Sequence, residues 1–114
     1  MTRTTATELR LSGQLICADM AEVAAIKAHL PEHIRLTLAE AGCLSFRVWQ
    51  TADPLIWGVE ERFADAAALQ HHQQRTRASL WWAQTATITR RYQISEIAPD
   101  TAADKATDKA ADQC

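Results

Sequence analysis

Several ingredients of common functional sites are missing or scarce in this sequence. Its 114 residues include no asparagine and only three glycines, and no glycine-rich phosphate loop or other nucleotide or flavin motif is present. No stretch approaches the roughly 20 apolar residues that span a bilayer. The first residues also lack the unbroken apolar run of a signal peptide. We therefore expect a cytoplasmic protein with no membrane partner and no recognisable cofactor site.

Cysteine and net charge are low as well. The three cysteines, Cys17, Cys43 and Cys114, are odd in number and show no C-x-x-C spacing, so they predict neither a disulfide framework nor a zinc site. The formal net charge is −2, and residues 1–97 carry ten basic and ten acidic side chains, so the excess lies in residues 98–114. A neutral domain without a basic stripe is a poor nucleic-acid binder, and we expect no such partner.

The apolar residues that are present follow two periodicities. Alternation predicts strands over residues 9–17, 43–51, 55–63 and 85–97. A spacing of three or four predicts two helices, one capped by Asp19 and ending at Gly42, the other capped by Asp65 and ending near residue 77. At Pro31 the first helix either kinks or restarts. Residues 79–84 are interpreted as a tryptophan-rich turn or a frayed helix end.

The resulting order, β-α-β-β-α-β, predicts the fold class. Right-handed crossovers turn it into a ferredoxin-like α+β domain, with two helices on one face of a four-stranded antiparallel sheet. We assign this domain to residues 9–97, after a disordered or extended N-terminus at residues 1–8. Residues 98–114 have no large apolar residue apart from a terminal cysteine, and this composition predicts a disordered low-complexity tail.

The face of the sheet without helices mixes charged groups with large apolar ones. Its predicted members are Ser45, Arg47, Trp49, Ile56, Glu60 and Arg62. Because Trp49 and Ile56 are costly to leave in water, we expect a second copy of the chain to pack there as a homodimer.

Residues 29–33, HLPEH, match the H-x-x-E-H string of the inverted zinc peptidases. Pro31 lies where a continuous helix is needed to hold both imidazoles on one face, and no separate acidic third ligand is identifiable. The sequence therefore does not predict a metal site, and His29 and His33 are interpreted as surface or half-buried histidines.

His72 and the four tryptophans are the remaining candidates. His72 shares a helical face with small and apolar residues, so it is either a satisfied core histidine or a proton-transfer group. Trp81 and Trp82 are adjacent and cannot both point the same way. A cavity between sheet and helices, walled by aromatic rings and one histidine, would suit a flat aromatic ligand.

Three segments resemble the antibiotic biosynthesis monooxygenase (ABM) family, and its quinol monooxygenase branch in particular. They are HIRLTLAEAGCLSF at residues 33–46, ADPLIWGVEERFADAAALQHHQQRTRASLWW at 52–82 and ITRRYQI at 88–94. The most specific parts are E-x-G-C-x-x-F and E-x-F-x-D-x-x-A-x-x-x-H. The resemblance covers nearly all of residues 9–97.

The resemblance implies a dimeric α+β barrel, in which protomers pack sheet to sheet. It also implies oxygenation of quinols or other electron-rich aromatics with molecular oxygen and no bound metal or flavin. The family histidine falls on His72, and the acidic position falls on Glu60 or Glu61, with the E-x-F spacing favouring Glu61. Haem-degrading relatives depend on an asparagine, and its absence here disfavours haem cleavage.

The resulting hypothesis is a cofactor-independent monooxygenase in which neutral His72 takes a phenolic proton from a bound quinol. Trp57, Phe63 and Trp82, or Trp81, would stack against the ring, and Arg75 or His33 could hydrogen-bond an oxygen. Two alternatives remain open, a non-enzymatic dimeric module that binds a small ligand and a haem-binding protein, because one fold hosts many functions.

Overall fold

The computed structural model describes residues 7–97 and, as a short strand, residues 104–107. The elements are β1 (Glu8–Ile16), α1 (Met20–Leu38), β2 (Cys43–Gln50), β3 (Ile56–Phe63), α2 (Ala66–Arg77), α3 (Leu80–Thr85), β4 (Thr89–Ile97) and β5 (Asp104–Thr107). The predicted ferredoxin-like α+β fold, with its four antiparallel strands and two long helices, is confirmed. Within the described residues, no helix combines the length and apolarity needed to cross a membrane.

The sheet has the order β2-β3-β1-β4-β5, and every neighbouring pair is antiparallel. The first four strands give the ferredoxin-like arrangement, with β3 and β1 in the centre. Glu61 of β3 pairs with Leu11 of β1 on one side and with Phe46 of β2 on the other. A carboxylate therefore lies in the middle of the sheet, on the face that the helices cover.

Short polar side chains begin each helix as predicted. The Asp19 carboxylate accepts a hydrogen bond from the backbone N–H of Glu22 at 3.0 Å, and Asp65 accepts one from Ala68 at 2.8 Å. The first helix continues through Pro31, so it does not restart there. It ends at Leu38 and not at Gly42, because a turn follows in which the Glu40 N–H donates to the Thr37 carbonyl at 3.0 Å.

Three local features differ from the sequence analysis. The tryptophan-rich segment forms a separate short helix, α3, capped by the Ser79 hydroxyl, which accepts from the Trp82 N–H at 3.3 Å. A register shift between Cys43 and Ser45 breaks the alternation predicted for residues 43–51, so Leu44 is exposed although Phe46, two residues on, is buried. Strand β5 lies in the segment expected to be disordered; main-chain pairing with the edge of β4 needs no apolar side chain. The other tail residues and residues 1–6 lie outside the described part of the chain.

The core lies between the helices and the covered face of the sheet. Its buried apolar residues include Leu11, Leu15, Val23, Ile26, Trp57, Val59, Phe63, Leu69 and Trp81. The other face is partly open to solvent, as the alternation predicts. There the Arg47 guanidinium lies over the indole of Trp49, 4.6 Å from its centroid, and Trp49 remains 39% exposed.

Candidate functional site

His72 lies in the second turn of α2 and is completely buried. Leu69, His72 and Thr76 are the buried residues of this helix, and their spacing of three and four turns one stripe toward the sheet. The imidazole packs against Phe63 of β3 at 4.9 Å and Phe46 of β2 at 6.0 Å between ring centroids. The predicted inward orientation of His72 is therefore observed.

Both nitrogens of this imidazole face carboxylates. Nδ1 lies 3.1 Å and 3.2 Å from the two carboxylate oxygens of Glu40. Nε2 lies 3.7 Å from Oε1 of Glu61 and 3.4 Å from the hydroxyl oxygen of Thr76. Glu61 is fully buried, and the Glu40 side chain is 6% exposed. His72 thus bridges an acid from the turn after α1 and an acid from the centre of the sheet.

Glu40 is held by one further side chain, which is itself anchored to the end of α1. Arg75, one turn after His72 on α2, donates from Nε to the Glu40 carboxylate and from Nη2 to the Thr37 hydroxyl at 3.0 Å. Burial alone would raise the pKa of Glu40, but the hydrogen bonds and charges of His72 and Arg75 outweigh it and lower that pKa below its usual value. Glu40 is consequently an ionised carboxylate at neutral pH.

A second buried imidazole lies beside the first. His33 of α1 is 1% exposed, and its ring centroid is 5.7 Å from that of His72. It stacks on the indole of Trp81 at 4.8 Å and meets the edge of Phe46 at 5.3 Å. Neither ring nitrogen has a hydrogen-bond partner among the described residues. Unpartnered polar atoms in a protein interior are uncommon, and each one calls for an explanation.

The same surroundings keep His33 uncharged. Burial lowers the pKa of His33 to about 3, and the charges of His72, Arg75 and Arg90 contribute in the same direction. At neutral pH this imidazole therefore has one N–H donor and one acceptor nitrogen, and no described residue pairs with either of them.

A cavity of about 280 Å³ opens between α1 and α3. It is lined by His29, Glu32, His33, Leu36, Ser79, Leu80 and Trp81. Its volume lies just below the range of about 300–1,000 Å³ typical of small-molecule sites, which suits a ligand of one or two rings. His72 does not line this cavity, whereas His33 lines it and also lies next to His72.

The structure distributes the predicted site residues over three places. Four of them, Glu61, Phe63, Arg75 and His33, surround His72 directly or through Glu40, and Trp81 joins them through its stack on His33. Trp57 packs in the main core instead, and does not line this cavity. Trp82 is on the outer side of α3, where the Arg90 guanidinium lies 4.8 Å from its ring centroid. Trp81 and Trp82 point in different directions, as the sequence requires.

Glu40 is the main residue of this site that the sequence analysis did not assign. Glu40 is the first residue of the E-x-G-C motif, which is the sequence feature that could have identified it. Thr37 and Thr76 carried no signal of their own. Among the described residues, no group of three or more histidine, cysteine or acidic side chains is placed to hold a metal ion.

The fold and the buried acid–histidine site define an α+β protein with a small cavity beside an ionisable cluster. Residues 18–83, more than half of the chain, match the sequence model of the antibiotic biosynthesis monooxygenase family. The chain belongs to this family.

Solved structures share the fold. A cofactor-independent oxygenase from Streptomyces nogalater, SnoaB, has 9% identity and a TM-score of 0.66, over 78% of this chain and 91% of that chain. A protein of unknown function from Nitrosomonas europaea has 26% identity and a TM-score of 0.63, over 88% and 96%. A third, from Mycobacterium tuberculosis, has 25% identity and a TM-score of 0.60, over 84% and 99%. No functionally curated protein matches the sequence.

Proposed function

We propose that this protein is a monooxygenase that oxidises a small aromatic or quinol with molecular oxygen, without a metal or organic cofactor. The observation that carries the proposal is the paired imidazole site: His33 lines the cavity and has no partner at either nitrogen among the described residues, and His72 behind it is flanked by two carboxyl groups. Membership of the family and the likeness to a cofactor-independent oxygenase support it.

The substrate ring would occupy the cavity against Trp81, which supplies one aromatic wall. A ring hydroxyl would donate a hydrogen bond to the neutral His33 imidazole. This arrangement favours uncharged phenols or quinols, because a charged ligand would lose its hydration in a cavity whose lining is mostly apolar.

Oxidation begins with loss of the hydroxyl proton, since the anion is a far better electron donor than the phenol. His33 is a poor final acceptor because its pKa is about 3. His72 lies behind His33, with its two nitrogens 3.1 Å and 3.7 Å from oxygens of Glu40 and Glu61. We propose that the proton moves from the substrate past His33 to His72.

The remaining chemistry balances without an external reductant. The anion transfers an electron to dioxygen, and the two radicals combine so that a carbon–oxygen bond forms and a ring peroxide results. The peroxide takes back the proton held on His72, and loss of the ring C–H proton then cleaves the oxygen–oxygen bond. One oxygen atom stays on the ring as a carbonyl, and the other takes up these two protons and leaves as water. The substrate itself supplies the electrons that reduce this second atom, so a quinol leaves as a hydroxyquinone.

Oxygen consumption by the metal-stripped protein across a panel of quinols and anthrones tests this proposal. We expect turnover with at least one compound, with one atom of labelled dioxygen in the product. His72→Ala should lose about 10²- to 10⁴-fold in rate, the usual contribution of a general base. The neighbouring exposed His71→Ala is the matched control and should keep full activity. Full oxygen uptake by His72→Ala would show that another group takes the proton.

A second candidate is a dimeric module that binds a small ligand without turnover. It is favoured by the way His72 is enclosed, with both nitrogens near carboxylates and its ring between Phe46 and Phe63. Binding of a quinol, seen as quenching of tryptophan fluorescence, without oxygen uptake with any panel compound would favour this candidate. A haemin titration checks the third alternative, since bound haem shifts the Soret band.

A further inference from the structure

The Glu40 side chain determines which nitrogen of His72 can exchange a proton. An ionised carboxylate only accepts hydrogen bonds, and Nδ1 of His72 lies 3.1 Å from one of its oxygens. The hydrogen of Nδ1 is therefore committed to Glu40, and Nε2 is the atom at which a proton can be gained or lost.

We propose that Glu40 is a positioning residue, which holds His72 as the Nδ1–H tautomer with Nε2 as its proton-accepting atom, and that Arg75 and Thr37 fix Glu40 for this purpose. Only the kinetic consequence of this proposal depends on the proposed oxygenase function. The tautomer itself follows from contacts that are present without substrate.

Three elements meet at this point, which is why the arrangement is rigid. Glu40 is in the turn after α1, Thr37 is in the last turn of α1, and Arg75 comes from α2 together with His72. The Arg75 guanidinium contacts Glu40 and Thr37 at once, so it ties the turn to both helices. A residue that only filled space would need neither a charge nor a charge-assisted hydrogen bond from Arg75.

The other charged and titratable groups around His72 fit the same assignment. On the sheet side, the carboxyl group of Glu61 lies 3.7 Å from Nε2 and so faces the nitrogen that exchanges the proton. On the α1 side, His33 stays neutral and does not compete for Glu40. Thr76 lies 3.4 Å from Nε2 and can donate its hydroxyl hydrogen to this nitrogen while the nitrogen is unprotonated.

Nitrogen-15 NMR of histidine-labelled protein tests the tautomer directly, with no substrate. At neutral pH we expect wild-type His72 to show a protonated Nδ1 at all times, with exchange confined to Nε2. In Glu40→Gln the amide can accept or donate, so both tautomers should be populated, whereas Glu40→Asp should keep the Nδ1–H form. Glu60→Gln, on the other face of the sheet, should leave the spectrum unchanged. A neutral Nε2–H form in the wild type would overturn the proposal.

Kinetics provide the second measurement. Glu40 does not line the cavity, so Glu40→Gln should lower kcat by about 10²-fold or more while KM changes less than about threefold, and Glu40→Asp should recover part of kcat. A rise in KM as large as the fall in kcat, or full kcat in Glu40→Gln, would contradict a positioning role.

If Glu40→Gln does not fold, Arg75→Gln tests the same arrangement from the partly exposed side. It should mix the tautomers, and a pure Nδ1–H spectrum in this variant would show that Arg75 plays no part. If the wild type consumes no oxygen, the oxygenase proposal fails while the tautomer measurement still decides this one.

Discussion

The imidazole of His33 lies parallel to the indole of Trp81, with ring centroids 4.8 Å apart and ring planes within 4° of each other. The two residues come from α1 and α3, and together they form one wall of the cavity. The stack therefore links the ligand site to the packing between two helices.

Trp81→Ala should destabilise the protein strongly, because it removes a buried aromatic side chain and leaves a hole. We expect a loss of about 3–5 kcal/mol in the free energy of unfolding, with a smaller loss for Trp81→Phe, which keeps a ring against His33. Urea denaturation followed by circular dichroism measures both. Trp82→Ala is the matched control, and its loss should be smaller, about 1–2 kcal/mol, since Trp82 is only half-buried and makes a cation–π contact with Arg90. Equal losses at the two positions would contradict the described packing.

His33 should make the protein less stable in mild acid. The pKa of His33 is about 3 in the folded chain and about 6.5 when unfolded, so below pH 6.5 the unfolded state binds the extra proton. Stability is therefore full above pH 6.5 and falls as the pH decreases toward 3. Between pH 7 and 4.5 the loss from this residue should be about 2–3 kcal/mol.

Comparing the free energy of unfolding of the wild type and His33→Gln across that pH range isolates this effect. As the pH falls, the free energy of unfolding should decrease more in the wild type than in His33→Gln, because glutamine does not titrate. The exposed His71→Gln should follow the wild-type curve. Parallel curves for the wild type and His33→Gln would mean that His33 can be protonated in the folded state.

Cys43 should react slowly with alkylating agents in the native protein. Burial and the nearby charges of Glu40 and Glu61 raise the pKa of this thiol to about 11. At pH 8 its thiolate population should then be about 100-fold below that of an ordinary thiol with a pKa near 9. Iodoacetamide labelling followed by peptide mapping measures the rate at each cysteine. Labelling of Cys43 as fast as in urea would contradict this environment.

Gly58 and Trp49 test the open face of the sheet, where we propose that a second copy packs. A Cβ atom at Gly58 would lie 2.3 Å from the Trp49 indole, so Gly58→Ala must push this ring out of place. We expect the wild type to sediment as a dimer, and Gly58→Ala and Trp49→Arg to weaken the dimer at least tenfold. A monomeric wild type, or variants that dimerise unchanged, would contradict pairing through this face.

Periodicity was enough to predict the fold because each element carries its own local signal. The alternating strands, the caps Asp19 and Asp65 and the stripe containing His72 all depend on residues close in sequence. Where two local signals competed, the prediction was wrong. The α1 helix stops before Gly42 because the backbone of residues 37–43 forms its own turn. The Ser79 cap begins a third helix, Leu80–Thr85, which is too short to show a helical periodicity in the sequence.

The sequence by itself determined the order of the elements, the inward side of α2 and the neutral charge of the domain, since these follow from neighbours along the chain. Only the tertiary structure decided that Glu40, His72, Arg75 and Thr37 form one cluster and that the cavity adjoins His33, with Trp57 and Trp82 elsewhere. The distance between side chains more than 30 positions apart is set by how helices pack on the sheet. No pattern within one segment contains that information.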